Sequence, residues 1–198
     1  MGRMRFDYLT ALLFGLTGVG ILTAVRRRKS RVYRVFFAIF YVYIVMVLYY
    51  TLFQFQSLIL MKLFNPHLML NGQEAGKELN LIPLLTLTAG AAQTSLLNIL
   101  LMVPFGFGLP FISDYRAKKV VVLGMLFSLA IELTQWLTGR LAGVTFRVAD
   151  VNDLIFNTLG AAVGYALFAG FAVGWRRWSH KWEGNAVVEY VNERVGER

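Results

Sequence analysis

Cysteine is absent from this 198-residue chain, and only two histidines occur, His67 and His180. Neither a disulfide framework nor a thiolate metal site is available, and two histidines in separate connecting segments do not make a multi-histidine zinc site. Charge is scarce as well. Asp, Glu, Lys and Arg make up 16% of the residues, against roughly a quarter in soluble domains, which is too little to clothe a water-facing globule. What fills the chain instead is apolar: 57% hydrophobic and 15% aromatic side chains, with a mean hydropathy of +0.57. The expected class is all-α, a polytopic membrane bundle. The length admits one such bundle, over residues 1–181, followed by a polar cytoplasmic tail at 182–198. No repeat or low-complexity tract is visible, and no cofactor or metal is expected.

Five apolar segments have spanning length or near it. The first, residues 8–25, follows Arg3 and Arg5 as a signal peptide would, but no small-residue cleavage site follows and a strongly basic run does. It reads as a retained helix. The second, residues 35–55, is dense in aromatics and stays apolar through 58–64, so the helix is expected to project beyond the bilayer or bend along it. Residues 80–92 are apolar but too short to span, and Pro83 and Gly90 mark them as an interfacial or re-entrant piece. The third span covers 93–112, where Pro104, Gly106, Gly108 and Pro110 predict a kink or partial unwinding. The fourth covers 120–137 and the fifth 154–173. In the tail, Val187, Val188, Val191 and Val195 recur at the spacing of a short amphipathic helix.

The net charge of +9 would suggest nucleic acid in a soluble protein. Here the basic residues sit in short runs beside apolar segments, which suits topology and anionic lipid rather than phosphate tracking. Arg26, Arg27, Arg28, Lys29, Arg31 and Arg34 follow the first span. Arg116, Lys118 and Lys119 follow the third, and Arg176, Arg177 and Lys181 follow the fifth. With five spans these three places share one side, the cytoplasm by the positive-inside rule. The N-terminus is then outside and the C-terminus cytoplasmic.

Several polar residues do not belong in lipid, where an ionisable group costs about 2.5–3.5 kcal/mol on insertion scales. Ser128, Glu132 and Gln135 are spaced i, i+4, i+7 and share a face of the fourth span. Asp150, Asp153 and Asn157 do the same at the start of the fifth, and Gly160 and Gly164 continue their face as a surface for close helix approach. Asp150 is placed to cap the free amides of that helix. Arg147, one turn upstream, is expected to pair with either aspartate or with Glu132. Asn98 in the third span and Asn80 before Pro83 fall at the same inferred depth, so separate segments converge on one outward layer. Each residue also has a plainer role, as a cap, an interhelical bond or a buried ion pair.

The residues also fall into an ordered set. Asn80-Leu-Ile-Pro83 is followed by Asn98 through Pro104-Phe-Gly106 and Pro110. Next come Ser128 to Gln135, then Arg147-Val-Ala-Asp150-Val-Asn-Asp153 with Asn157, Gly160 and Gly164-Tyr165. Together they resemble the VanZ-like family over about residues 80–170. One departure is the longer connection, residues 138–146, between Gln135 and Arg147; Arg140 is not the matching arginine. The resemblance implies a bacterial cytoplasmic-membrane protein of the cell envelope, in a family associated with resistance to the glycopeptide antibiotic teicoplanin.

Three functions are compatible with these residues. In the first, an outward polar pocket holds an amphipathic ligand such as a lipid-linked cell-wall precursor or a glycopeptide. Arg147 binds its anionic group, Asp150 and Glu132 position it, and the spans hold its tail among membrane lipids. In the second, the carboxylates act as a general base or hold a divalent ion beside a lipid phosphate, although no nucleophile–base pair is evident. In the third, the protein is a lipid transporter or flippase, without an obvious inverted repeat.

Overall fold

The computed structural model describes residues 12, 15–24, 29–52, 79–83, 89–142, 148–179 and 184–196. A short apolar helix, α1 (Gly15–Ala24), leads to α2 (Arg31–Thr51). Then come the two-residue strand β1 (Leu79–Asn80), α3 (Ala89–Ile112), α4 (Ala117–Ala142), the strand β2 (Ala149–Asp150), α5 (Val151–Trp178) and α6 (Ala186–Gly196). Four of these helices, α2 to α5, are long and apolar enough to cross a membrane. Only 17–33% of each span window is buried, and exposed side chains such as Ile39, Leu100, Leu133 and Leu167 are apolar. That surface suits lipid rather than water. The chain is a multi-pass membrane protein.

α4 and α5 match the expected segments with both ends extended, α3 starts before its expected start, and α2 is shifted, starting before residue 35 and ending at Thr51, short of residue 55. α3 begins at Ala89, so it takes in the end of the stretch expected to lie at the interface, and residues 84–88 lie outside the described residues. The remainder of the first expected span and the apolar 58–64 stretch also lie outside them. Of the kink or partial unwinding expected around Pro104 and Pro110, the unwinding does not occur: α3 is helical throughout. Each proline deprives the carbonyl four residues earlier of its helical donor. The helix is held regardless by its neighbours: the Tyr43 hydroxyl of α2 donates to the Leu101 carbonyl at 2.7 Å, and α5 presses against the opposite side.

That α3–α5 contact is the densest in the bundle, and small residues make it possible. A methyl group built on Gly164 would lie 2.1 Å from the Val103 carbonyl oxygen, and one on Gly160 would lie 2.4 Å from that of Ile99. Across the seam, one on Gly106 would lie 2.0 Å from the Ala161 carbonyl oxygen. Backbone thus meets backbone over two helical turns.

The basic turns gather at one end of the bundle. There Tyr33, Phe111, Phe168 and Ala172 form a core with Tyr190, Val191 and Val195 of α6. Residues 186–196, expected as an amphipathic helix, form one and dock on the spans. The Tyr190 hydroxyl donates to the carbonyl of Phe111, one of the last four in α3 that lack a helical partner. The Ser113 hydroxyl takes the Leu109 carbonyl at 2.8 Å, Arg194 pairs with Asp114, and the Trp175 indole donates to Asn192 at 2.8 Å. Burial raises the Tyr190 phenol above its ordinary value, while the neighbouring Arg194 charge acts in the opposite direction.

Candidate functional site

At the end opposite the basic turns, α4 finishes, α5 starts and β1 crosses between them. β1 pairs in parallel with β2, Leu79 beside Ala149 and Asn80 beside Asp150. This pairing brings a residue from before the third span against the start of the fifth. Asp150 then works in two directions. As the N-cap of α5 its carboxylate accepts from the Asn152 backbone amide at 2.8 Å, satisfying one of the free donors of the first turn. It also accepts from the side chains of Asn152, at 2.8 Å, and Asn80, at 3.1 Å. Its own backbone amide donates to a Glu132 carboxylate oxygen at 3.0 Å. Glu132 is buried, and its carboxyl accepts this bond where the apolar bundle gives way to the rim.

Two further pairs lie deeper. The Asn98 amide of α3 donates to an Asp153 carboxylate oxygen at 2.5 Å. One turn below, the Asn157 amide donates to the Ser128 hydroxyl at 2.9 Å, with Asn157 4% and Ser128 0% exposed. Side chains this deeply enclosed in a bundle need such partners, because hydrocarbon offers none. From Asp150 to Asn157 the ladder descends about 10 Å along α5 at 1.5 Å per residue. Gln135 does not join it. Its amide turns to the Thr51 carbonyl at the end of α2, at 2.9 Å, and its side-chain oxygen is buried with no hydrogen-bond partner among the described residues.

Beside the carboxylates lies an apolar groove of about 270 Å³. Leu129, Leu133 and Trp136 of α4 form one wall, Val151 and Leu154 of α5 the other, and Leu79 and Leu81 flank its mouth. Glu132 and Asp150 are part of the same lining. With 3.6 residues per turn, Leu129, Leu133 and Trp136 lie on one side of Glu132, and Ser128 and Gln135 lie on the other. Glu132 therefore stands on the boundary between an apolar groove and an internal polar seam.

A family model described as VanZ/LLP1 matches residues 37–173. The chain belongs to the VanZ/LLP1 family. No curated protein and no solved structure matches it. The family match starts in α2, before the motif-bearing region that begins near residue 80, so the second span is part of the family core. In this VanZ/LLP1 protein α2 reaches the polar end through the Gln135–Thr51 bond.

The structure thus links Asn80, Glu132 and Asp150 in one group, Asn98 with Asp153 in a second, and Ser128 with Asn157 in a third. Gln135 stands apart, and Arg147 lies outside the described residues, as do residues 143–146 of the longer connection before it, whose first part, 138–142, completes α4. Sequence reasoning did not single out Asn152, which bonds Asp150 and reaches the Ile82 carbonyl at 3.5 Å. Its place between Asp150 and Asp153 was the available signal. The groove leucines and Trp136 carried none, since apolar residues in a membrane helix look alike. Among the described residues no group of three or more His, Cys, Asp or Glu side chains converges as metal ligands would.

Proposed function

We propose that this VanZ/LLP1 protein serves the bacterial cell envelope by holding an amphipathic ligand at its outward polar end. The tail occupies the groove between α4 and α5, and the polar head rests on Glu132 and Asp150. The observation that carries this reading is the adjacency of a 270 Å³ apolar groove to two carboxylates in one lining, the combination by which pockets bind and orient amphiphiles. The basic turns face the cytoplasm by the positive-inside rule, so the groove opens on the outer leaflet of the cytoplasmic membrane. A lipid-linked cell-wall precursor or a lipid-bearing glycopeptide reaches the protein from that side, which agrees with a role in teicoplanin resistance. Arg147, on the chain just before β2, is the expected partner of an anionic group on the ligand.

The test uses Glu132→Gln and Asp150→Asn in cells challenged with teicoplanin. The glutamine side chain keeps an oxygen able to accept from the Asp150 amide, so the first change removes charge and not the bond that shapes the rim. The expected outcome is loss of the resistance or envelope phenotype with normal accumulation in the membrane fraction. Full phenotype from stably accumulating variants contradicts the proposal.

A further inference from the structure

Residues 79–82, Leu-Asn-Leu-Ile, lie along the mouth of the groove as a narrow strap. In extended backbone, side chains alternate between two faces. Pairing in register sets Leu79 beside Ala149 and Asn80 beside Asp150. Leu79, Leu81 and Ala149 accordingly belong to the groove lining, while the Asn80 amide donates to the Asp150 carboxylate at 3.1 Å. The strap is thus a third side to a slot whose other walls are α4 and α5.

Among the described residues, few polar contacts hold it there. The ladder is two residues long. The Asn152 side chain reaches the Ile82 carbonyl at 3.5 Å, the outer limit for a hydrogen bond. The bond from the Ile82 amide to the Asn80 side-chain oxygen, 3.2 Å, is internal to the strap and travels with it. Leu79, Leu81 and Ile82 are each more than half exposed, so lifting the strap uncovers little further apolar surface. A segment with so few buried contacts opens at far lower cost than the spans around it.

The strongest of these contacts is the one from Asn80, because its acceptor is charged. Its acceptor is also fixed, since Asp150 caps α5. A carboxylate has about four lone-pair sites, and the bonds from Asn80 and Asn152 use three of them. A further donor at the rim therefore has room without displacing Asn80.

We propose that residues 79–82 are a gate on the membrane-facing mouth of the groove, and that Asn80 is the positioning residue that pins it shut on Asp150. An alkyl chain passes beneath the lifted strap from the surrounding leaflet and not through water. The proposal rests on the groove being a ligand site. Its readouts are movement and access rather than a resistance phenotype, so the gate and the ligand reading fail separately.

The chain has no cysteine, so single cysteines can be labelled in the full protein in phosphatidylcholine nanodiscs. Bimane on Leu81→Cys reports on Trp136, which shares the groove lining and quenches the label at contact. With Asn80 in place the label should be quenched. Asn80→Ala should raise its emission, and Trp136→Phe should abolish the difference. Passage is read by alkylation of Leu154→Cys, on the α5 wall, with N-dodecylmaleimide delivered from the bilayer. Asn80→Ala should speed it about tenfold, the ratio given by one hydrogen bond to a charged group. Leu126→Cys, exposed outside the lining, should react at one rate in both backgrounds. Ser128→Cys, buried in the bundle, should stay unreactive in both. An unquenched label with Asn80 present, or emission unmoved by Asn80→Ala, overturns the pin. Emission that rises while alkylation of Leu154→Cys keeps its rate overturns the gate. A reactive Ser128→Cys in the Asn80→Ala background makes Asn80 a residue of the fold and overturns the gate as well.

Discussion

Replacing Gly164 by alanine adds one methyl group at the place where α3 and α5 have no room for it. The new carbon would lie 2.1 Å from the Val103 carbonyl oxygen and 2.9 Å from the Phe107 amide nitrogen, both backbone atoms. Neither can swing aside as a side chain would. Restoring ordinary contact at 3.4 Å requires the helices to part by about 1.3 Å along that line. Overpacking of this kind costs about 1–3 kcal/mol, and the parting would also stretch the Asn98–Asp153 bond farther along the seam. Alanine is a better helix former than glycine by about 1 kcal/mol, so the net loss is up to about 2 kcal/mol. Gly170 is the control. It lies in the same helix with nothing within 4 Å of its added methyl group, so Gly170→Ala should stabilise by about 0.5–1 kcal/mol. Denaturant unfolding of the two variants in one detergent checks the comparison. Opposite signs are expected; Gly164→Ala as stable as Gly170→Ala refutes the backbone-on-backbone seam.

The polar ladder and the docked helix carry further predictions. Ser128→Ala leaves the Asn157 amide without its described acceptor and should cost about 1–3 kcal/mol in the same unfolding assay, whereas Thr138→Ala, at an exposed helix position, should change stability little. Tyr190→Phe removes the donor to the Phe111 carbonyl and should speed amide exchange across 186–196 in hydrogen-exchange mass spectrometry, with the spans unaffected. The Tyr190 phenol is raised, so the folded state holds its proton more tightly than the unfolded state. Its contribution is therefore complete below the ordinary tyrosine value of about 10 and is lost as pH climbs through the raised one. Exchange in α6 should accelerate in that alkaline window in wild type, and the step should vanish in Tyr190→Phe.

How much of this was legible in the sequence depends on the range of the interaction. Spans are local, so run length and polarity located α2 to α5 to within a few residues, with α4 and α5 lengthened at both ends because helices continue into the interface. The i, i+4, i+7 faces are also local, and they placed Ser128 with Glu132 and Asp153 with Asn157 on single surfaces. The glycine seam was legible on one side, from Gly160 and Gly164. Its other half, Gly106, read instead as part of a kinked or partly unwound segment, because sequence shows the missing proline donors but not the neighbouring helices that pack on α3. Pairing across the bundle was out of reach. A two-residue strand has no periodicity, so the β1–β2 contact that sets Asn80 on Asp150 left no pattern. The Tyr190–Phe111 bond joins residues 79 positions apart, and a tail rich in charge gives no sign that its valines have a partner. Gln135 shared the right helix face, yet its amide is turned to Thr51 by the position of α2, which the face alone does not fix.

The central claim is that the groove beside Glu132 and Asp150 is occupied by the tail of an amphiphile. A cryo-EM map of the protein in native-lipid nanodiscs tests it most directly. The account predicts chain-shaped density between Leu133 and Leu154, with its polar end against Glu132 and Asp150. A groove closed by repacked leucines, or density that bypasses both carboxylates, would contradict it.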